Sequence, residues 1–171
     1  MPNTFTLIAS STVGSGGSAD ITFSSIPGTY TDLVVKFSGR TTTGSFPDGR
    51  LQFNNDTGSN YNWRNLYGSG SAAGSNNGGT TTSIAFGTLV GSSETANTFT
   101  NSEIYIPNYA GSTQKSVSSD SVTENNATTA YMAILAGLWT STSAITSIKL
   151  TTSATAFAQY SSAYLYGIVN S

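Results

Sequence analysis

Eight carboxylates are the only side chains in this 171-residue sequence suited to acid–base work near neutrality, since it contains neither histidine nor cysteine. That absence removes the Ser-His-Asp and Cys-His arrangements of nucleophilic catalysis. A metal would have to be held by carboxylate and carbonyl oxygens alone. Two carboxylates are enough for glycoside hydrolysis, and Asp48, Asp56, Asp120 and Glu124 are the candidates for that role. All four fall in stretches that read as turns or loop margins, where a carboxylate bonds neighbouring backbone. No pair stands out as held on adjacent strands in an apolar pocket. Catalysis is therefore not expected, and no catalytic, metal-ligating or cofactor-binding residue is assigned.

Two short motifs carry weaker echoes. Asn54-Asn55-Asp56-Thr57-Gly58 has the look of a calcium loop but lacks the further acidic ligands one needs, so an Asx-type turn is expected. Gly14-Ser15-Gly16-Gly17 resembles a phosphate loop without its lysine, and backbone flexibility accounts for it.

Aromatic residues offer a different chemistry. Tyr61, Trp63 and Tyr67 share one parity of an extended stretch, with Arg64 and Leu66 on the other. Such a row is a core face or an exposed platform for sugar rings, and the core face is the expected one. Residues 129–139 are apolar on both parities: Ala130, Met132, Ile134, Ala136 and Leu138 on one, Tyr131, Ala133, Leu135 and Trp139 on the other. A strand of that kind is covered twice within the domain or partly buried by another subunit. Trp63 and Trp139 are the aromatics singled out for contact with a glycan.

The elements that must position these residues read as strands throughout. Charged residues are 8% of the chain, Gly numbers 18, and β-branched and aromatic residues are abundant. The clearest pattern is residues 25–40: Pro27-Gly28 fits the centre of a type II turn, and Leu33, Val35 and Phe37 then alternate with Val34, Lys36 and Ser38. Further strands are expected at 4–10, 20–24, 50–54, 61–67, 83–90, 99–106, 129–139, 144–151 and 163–170. Residues 114–122 read as a weak, polar edge strand. Residues 68–82, all Gly, Ser, Ala, Asn and Thr, read as a long exposed loop. About ten strands with turns between them predict an all-β, single-domain β-sandwich or barrel over residues 1–171. The net charge of −2 speaks against nucleic acid. The N-terminal stretch lacks the basic and apolar regions of a signal peptide, and no apolar run reaches membrane-spanning length. A soluble protein made in a cytoplasm is expected.

Three blocks carry a resemblance: SIPGTYTDLVVKFSGR (25–40), LQFNNDTGSNYNWRNLYGSGS (51–71) and GLWTSTSAITSIKLTTSATAFAQYSSAYLYGI (137–168). Their most specific part is Ala144-Ile145-Thr146-Ser147-Ile148 ahead of Phe157 and Leu165-Tyr166-Gly167-Ile168. In that order they resemble a group of virion structural proteins of tailed bacteriophages, found as small stand-alone proteins or as domains of tail fibres. The resemblance implies a jelly-roll-like sandwich on the outer surface of a virion, and no catalytic residue comes with it. The expected role is a capsid decoration or cement protein, a homotrimer seated on the major capsid protein. A tail-fibre or receptor-binding domain recognising host-surface glycans is the alternative. Neither nucleic acid nor membrane is expected as a partner.

Overall fold

The computed structural model describes residues 4–169; the first three residues of the stretch read for a leader, and Asn170 of the expected last strand, lie outside them. Among the described residues there are twelve β-strands and no helix. They are β1 (Phe5–Thr12), β2 (Ile21–Phe23), β3 (Asp32–Gly39), β4 (Asp48–Phe53), β5 (Tyr61–Gly68) and β6 (Ala73–Thr81). The chain continues with β7 (Ile84–Thr88), β8 (Thr100–Ile106), β9 (Lys115–Thr123), β10 (Tyr131–Trp139), β11 (Ile148–Thr152) and β12 (Ser162–Ile168). The expected all-β sandwich is what the chain forms, with more strands than the sequence announced.

An eight-stranded sheet has the order β1-β12-β3-β8-β9-β10-β5-β6, and a four-stranded sheet the order β2-β11-β4-β7. Every paired neighbour is antiparallel. Two hairpins, β5–β6 and β9–β10, lie wholly within the larger sheet. Without them, the remaining eight strands cross from one sheet to the other at each step of the chain except β4 to β7, which are neighbours in the smaller sheet. That winding is compatible with the jelly-roll expectation.

The in-and-out alternation expected of β3 is present. Leu33, Val35 and Phe37 point into the core while Lys36 and Ser38 are exposed. Val34 departs from it: although on the outer parity it is buried, between its cross-strand partners Tyr105 and Tyr166. Phe37 packs edge-on against Phe86 of β7 at 5.3 Å and against Phe157 at 5.5 Å, which ties the two sheets together. One cluster of buried apolar residues draws on both sheets.

Four expectations are corrected. Residues 68–82 do not form a loop: only the tip around Gly70 (φ 81°) turns, and β6 follows as the outermost strand of the larger sheet. Its stability comes from β5. Trp63 pairs with Gly78 and Tyr67 with Gly74, and both rings lie across those glycines, so a Cβ on Gly78 would sit 2.4 Å from the indole nitrogen. An aromatic ring covering a strand glycine supplies the packing that the glycine lacks. Gly167 under Tyr30 and Gly49 under Phe86 show the same device.

Residues 114–122 are not an edge either. β9 lies between β8 and β10, and its serines are small because β7 passes directly over them. A Cβ on Gly87 of β7 would sit 2.4 Å from Ser121 Oγ. Asp120 therefore lies in mid-strand rather than at a loop margin. The turn after β2 is also different, because Gly28 has no positive φ and Ser25 (φ 55°) does. The Pro27 carbonyl instead accepts a hydrogen bond from the buried Tyr109 hydroxyl.

Candidate functional site

The carboxylates are dispersed. Seven of the eight have their own polar partners among the described residues, and none of those partners is shared. Asp48 pairs with Arg50 at 3.0 Å, Glu103 with Lys36, and Asp20 with Lys149 at 3.6 Å. Asp32 accepts the Tyr105 hydroxyl and the Asn108 amide. Glu94 accepts Asn125 Nδ2, and Glu124 accepts the Asn126 amide. Asp120 alone has no such partner. The structure brings no two of Asp48, Asp56, Asp120 and Glu124 onto a common ligand.

Asp56 is a structural hinge of the β4–β5 turn. It accepts Gly58 N–H at 2.9 Å, the Asx-turn expected from the motif. It also accepts Asn60 Nδ2 and, at 2.8 Å, the indole N–H of Trp139. The Trp139 bond is the main reason its carboxyl lies below the ordinary value of 3.8, against the opposing effect of burial. Asn54 holds the same turn to residues 144–147 through four hydrogen bonds. Gly14-Ser15-Gly16-Gly17 is a tight turn closed by Gly17 N–H on the Gly14 carbonyl at 3.1 Å.

The aromatic row of β5 divides. Tyr61 is fully buried, stacked on Trp139 at 6.3 Å, and burial pushes its phenol up to about 12. Trp139 is buried too, so it is core and takes no part in a surface contact. Trp63 and Tyr67 are only half-buried. They face inward where the smaller sheet has already ended: β7 is its last strand, and β5 and β6 run on past it. The result is an open cleft of about 370 Å³. Trp63, Asn65 and Tyr67 of β5 line it on one side, and Asp48, Ala85 and Gly87 on the other. Phe46 and Tyr131 complete it, edge to face at 4.9 Å. Phe46 and Asn76 carried no signal in the sequence, and Tyr131 stood out only as part of the two-sided apolar stretch 129–139; the one available pointer to the cleft was the matched spacing of Trp63 and Tyr67 with Gly78 and Gly74.

The opposite face of the same strands is apolar. The two-sided pattern of residues 129–139 resolves with Ala133, Leu135 and Trp139 in the core and Met132 and Ile134 in solvent. Ile134 is 66% exposed beside Leu66 of β5 at 68%, and Met132 lies opposite Val122 of β9. A second apolar group, Phe5, Leu7 and Tyr164, lies on β1 and β12 at the other end of the sheet. Four strand steps separate β12 from β10, and at roughly 20–25° of twist per step the two groups look in directions ~80–100° apart. Compared with family models, with curated proteins and with solved structures, the chain matches none.

Proposed function

We propose that this chain is a structural protein of a tailed-bacteriophage virion, a decoration protein of the outer head surface that assembles as a homotrimer on the major capsid protein. The observation that carries the reading is the pair of exposed apolar groups at the two ends of the larger sheet, centred on Leu66 and Ile134 and on Phe5 and Leu7. Large apolar side chains left in contiguous solvent-facing groups mark surfaces that another protein covers. Two different groups looking in different directions suit a head-to-tail contact, in which one copy's first group meets its neighbour's second and the ring closes. A ring of three fits the threefold positions of an icosahedral lattice. The virion assignment itself rests on the three blocks of sequence resemblance. A receptor-binding tail domain is the alternative, and the polar, aromatic cleft is the feature that favours it.

Counting copies tests the proposal. Quantitative mass spectrometry of purified particles of the phage encoding this chain should give hundreds of copies per virion. A few or a few tens of copies would place the protein in the tail or at a vertex and overturn the head assignment.

A further inference from the structure

We infer that the cleft between β7 and the inner face of β5–β6 binds carbohydrate, taking the ring of a neutral sugar against its aromatic wall. The inference stands on the cleft alone and holds equally for a head or a tail protein.

Shape comes first. The smaller sheet stops at β7, so beyond the buried Tyr61 the inner face of the β5–β6 hairpin is left largely open. Elsewhere in the sandwich such a face is filled by Leu, Ile and Phe, whereas here it carries Trp63, Asn65, Tyr67 and Asn76. The cleft volume of about 370 Å³ lies at the small end of the roughly 300–1,000 Å³ of small-molecule sites.

The aromatics are presented flat and held in place. Trp63 and Tyr67 cannot drop into the sheet, because each already rests on a glycine of β6. Tyr131 braces Tyr67 at 6.2 Å and meets Phe46 edge-on. Half-buried rings in fixed orientation offer the C–H face of a sugar a stacking surface at little entropic cost, since they lose few rotamers on binding.

Polar groups beside the rings are unspent. Asn65 Oδ1 accepts the Asn76 amide N–H at 2.9 Å, which fixes its side chain with the NH₂ free to donate. Among the described residues the Asn76 side-chain amide and the hydroxyls of Tyr67 and Tyr131 have no partner. Asp48 gives one carboxylate oxygen to Arg50, leaving the other as an acceptor. The indole N–H of Trp63 is buried without an acceptor. Donors and acceptors interleaved with aromatic faces match the alternating hydroxyls and C–H faces of a pyranose. Charge selects within that class: Asp48, the charged side chain lining the cleft, is already paired with Arg50, and no unpaired cation lines the cleft to hold an acidic sugar.

A printed array of neutral and acidic glycans, probed with the full chain, provides the test. Neutral glycans should bind, and titration calorimetry with the best of them should give an affinity unchanged between low and 1 M salt. Tyr131→Ala and Asn76→Ala, at the cleft edge and away from the glycine contacts, should each weaken that binding about tenfold or more while leaving the circular dichroism spectrum intact. Tyr160→Ala, an exposed aromatic outside both the cleft and the two apolar groups, should leave it unchanged. Absence of binding to any neutral glycan, binding confined to acidic glycans, or equal loss in Tyr160→Ala would overturn the inference.

Discussion

The eight strands that wind between the two sheets and the two hairpins that widen the larger one are built from different chemistry. In the winding strands, inward residues are mostly Leu, Ile, Val and Phe, as in β3, where Leu33, Val35 and Phe37 are fully buried. Burial of that kind drives folding at roughly 25 cal/mol per Å² of apolar surface. The β5–β6 hairpin reverses the arrangement, with amides and half-exposed rings on the inside and Leu66 in solvent on the outside. β10 shares its outer face, where Ile134 is the partner of Leu66. A strand patterned this way contributes little to the core and presents two usable surfaces. The lesson is a division of labour: the winding strands hold most of the core, and the added hairpins carry the aromatic wall of the cleft and one of the two apolar groups, the other lying on β1 and β12.

The sharpest way to break that contrast is to place the same charge in both regions. Val35→Asp and Phe37→Asp should fail to fold, because each buries an unpaired carboxylate at a cost of several kcal/mol, comparable with the stability of a whole domain. Ile134→Asp should fold normally and lose only self-association, read as a shift from trimer to monomer by light scattering. The wild-type assembly should persist in 1 M salt, since its contacts are apolar. Equal damage at all three positions would erase the contrast.

Next in size is the Asp56–Trp139 bond, which joins the two regions. Asp56→Ala leaves the buried indole N–H without its charged acceptor and should cost about 1.5–3 kcal/mol in urea denaturation. The pH dependence has a definite sign. The folded carboxyl titrates below its ordinary 3.8, so the unfolded chain binds the proton first as pH falls. The stabilisation is complete above about pH 4, therefore, and is lost as pH drops through the folded value. Asp56→Asn should flatten that acid limb.

Within the β5–β6 hairpin, Gly78→Val pushes a side chain into the Trp63 ring and should cost about 1–3 kcal/mol, while disturbing the cleft more than the core. Thermal melts and glycan titration of the same variant check both halves of that statement. Smallest of all is Lys36→Asp. Lys36 is on the exposed parity of β3, its ion pair with Glu103 is half in solvent, and the change should cost about 1 kcal/mol or less.

What the sequence made legible follows the same division. The alternation of β3 could be read because hydrophobic periodicity is a one-dimensional record of a two-faced environment. The Asx turn at Asp56 could be read because its chemistry is local, two residues from carboxylate to amide. β6 could not be read from its own composition, because the rings that stabilise it belong to β5. The central position of β9 was hidden for a similar reason: Ser119 and Ser121 look like surface residues, and only the close passage of Gly87 from β7 makes small side chains necessary there. Trp139 and Trp63 look alike in sequence. One is core because Phe53 of β4 and Tyr61 pack on it, and the other lines the cleft because the smaller sheet ends at β7.

A reconstruction of the virion at side-chain resolution tests most directly the claim that the added hairpins carry the cleft and one of the two assembly surfaces. The account predicts this chain on the outside of the head, in threefold groups, with Leu66 and Ile134 buried against a neighbouring subunit and the cleft between β7 and β6 open to solvent. The same chain seated on the head with the outer face of β5 and β10 bare, or found only on the tail, would contradict it.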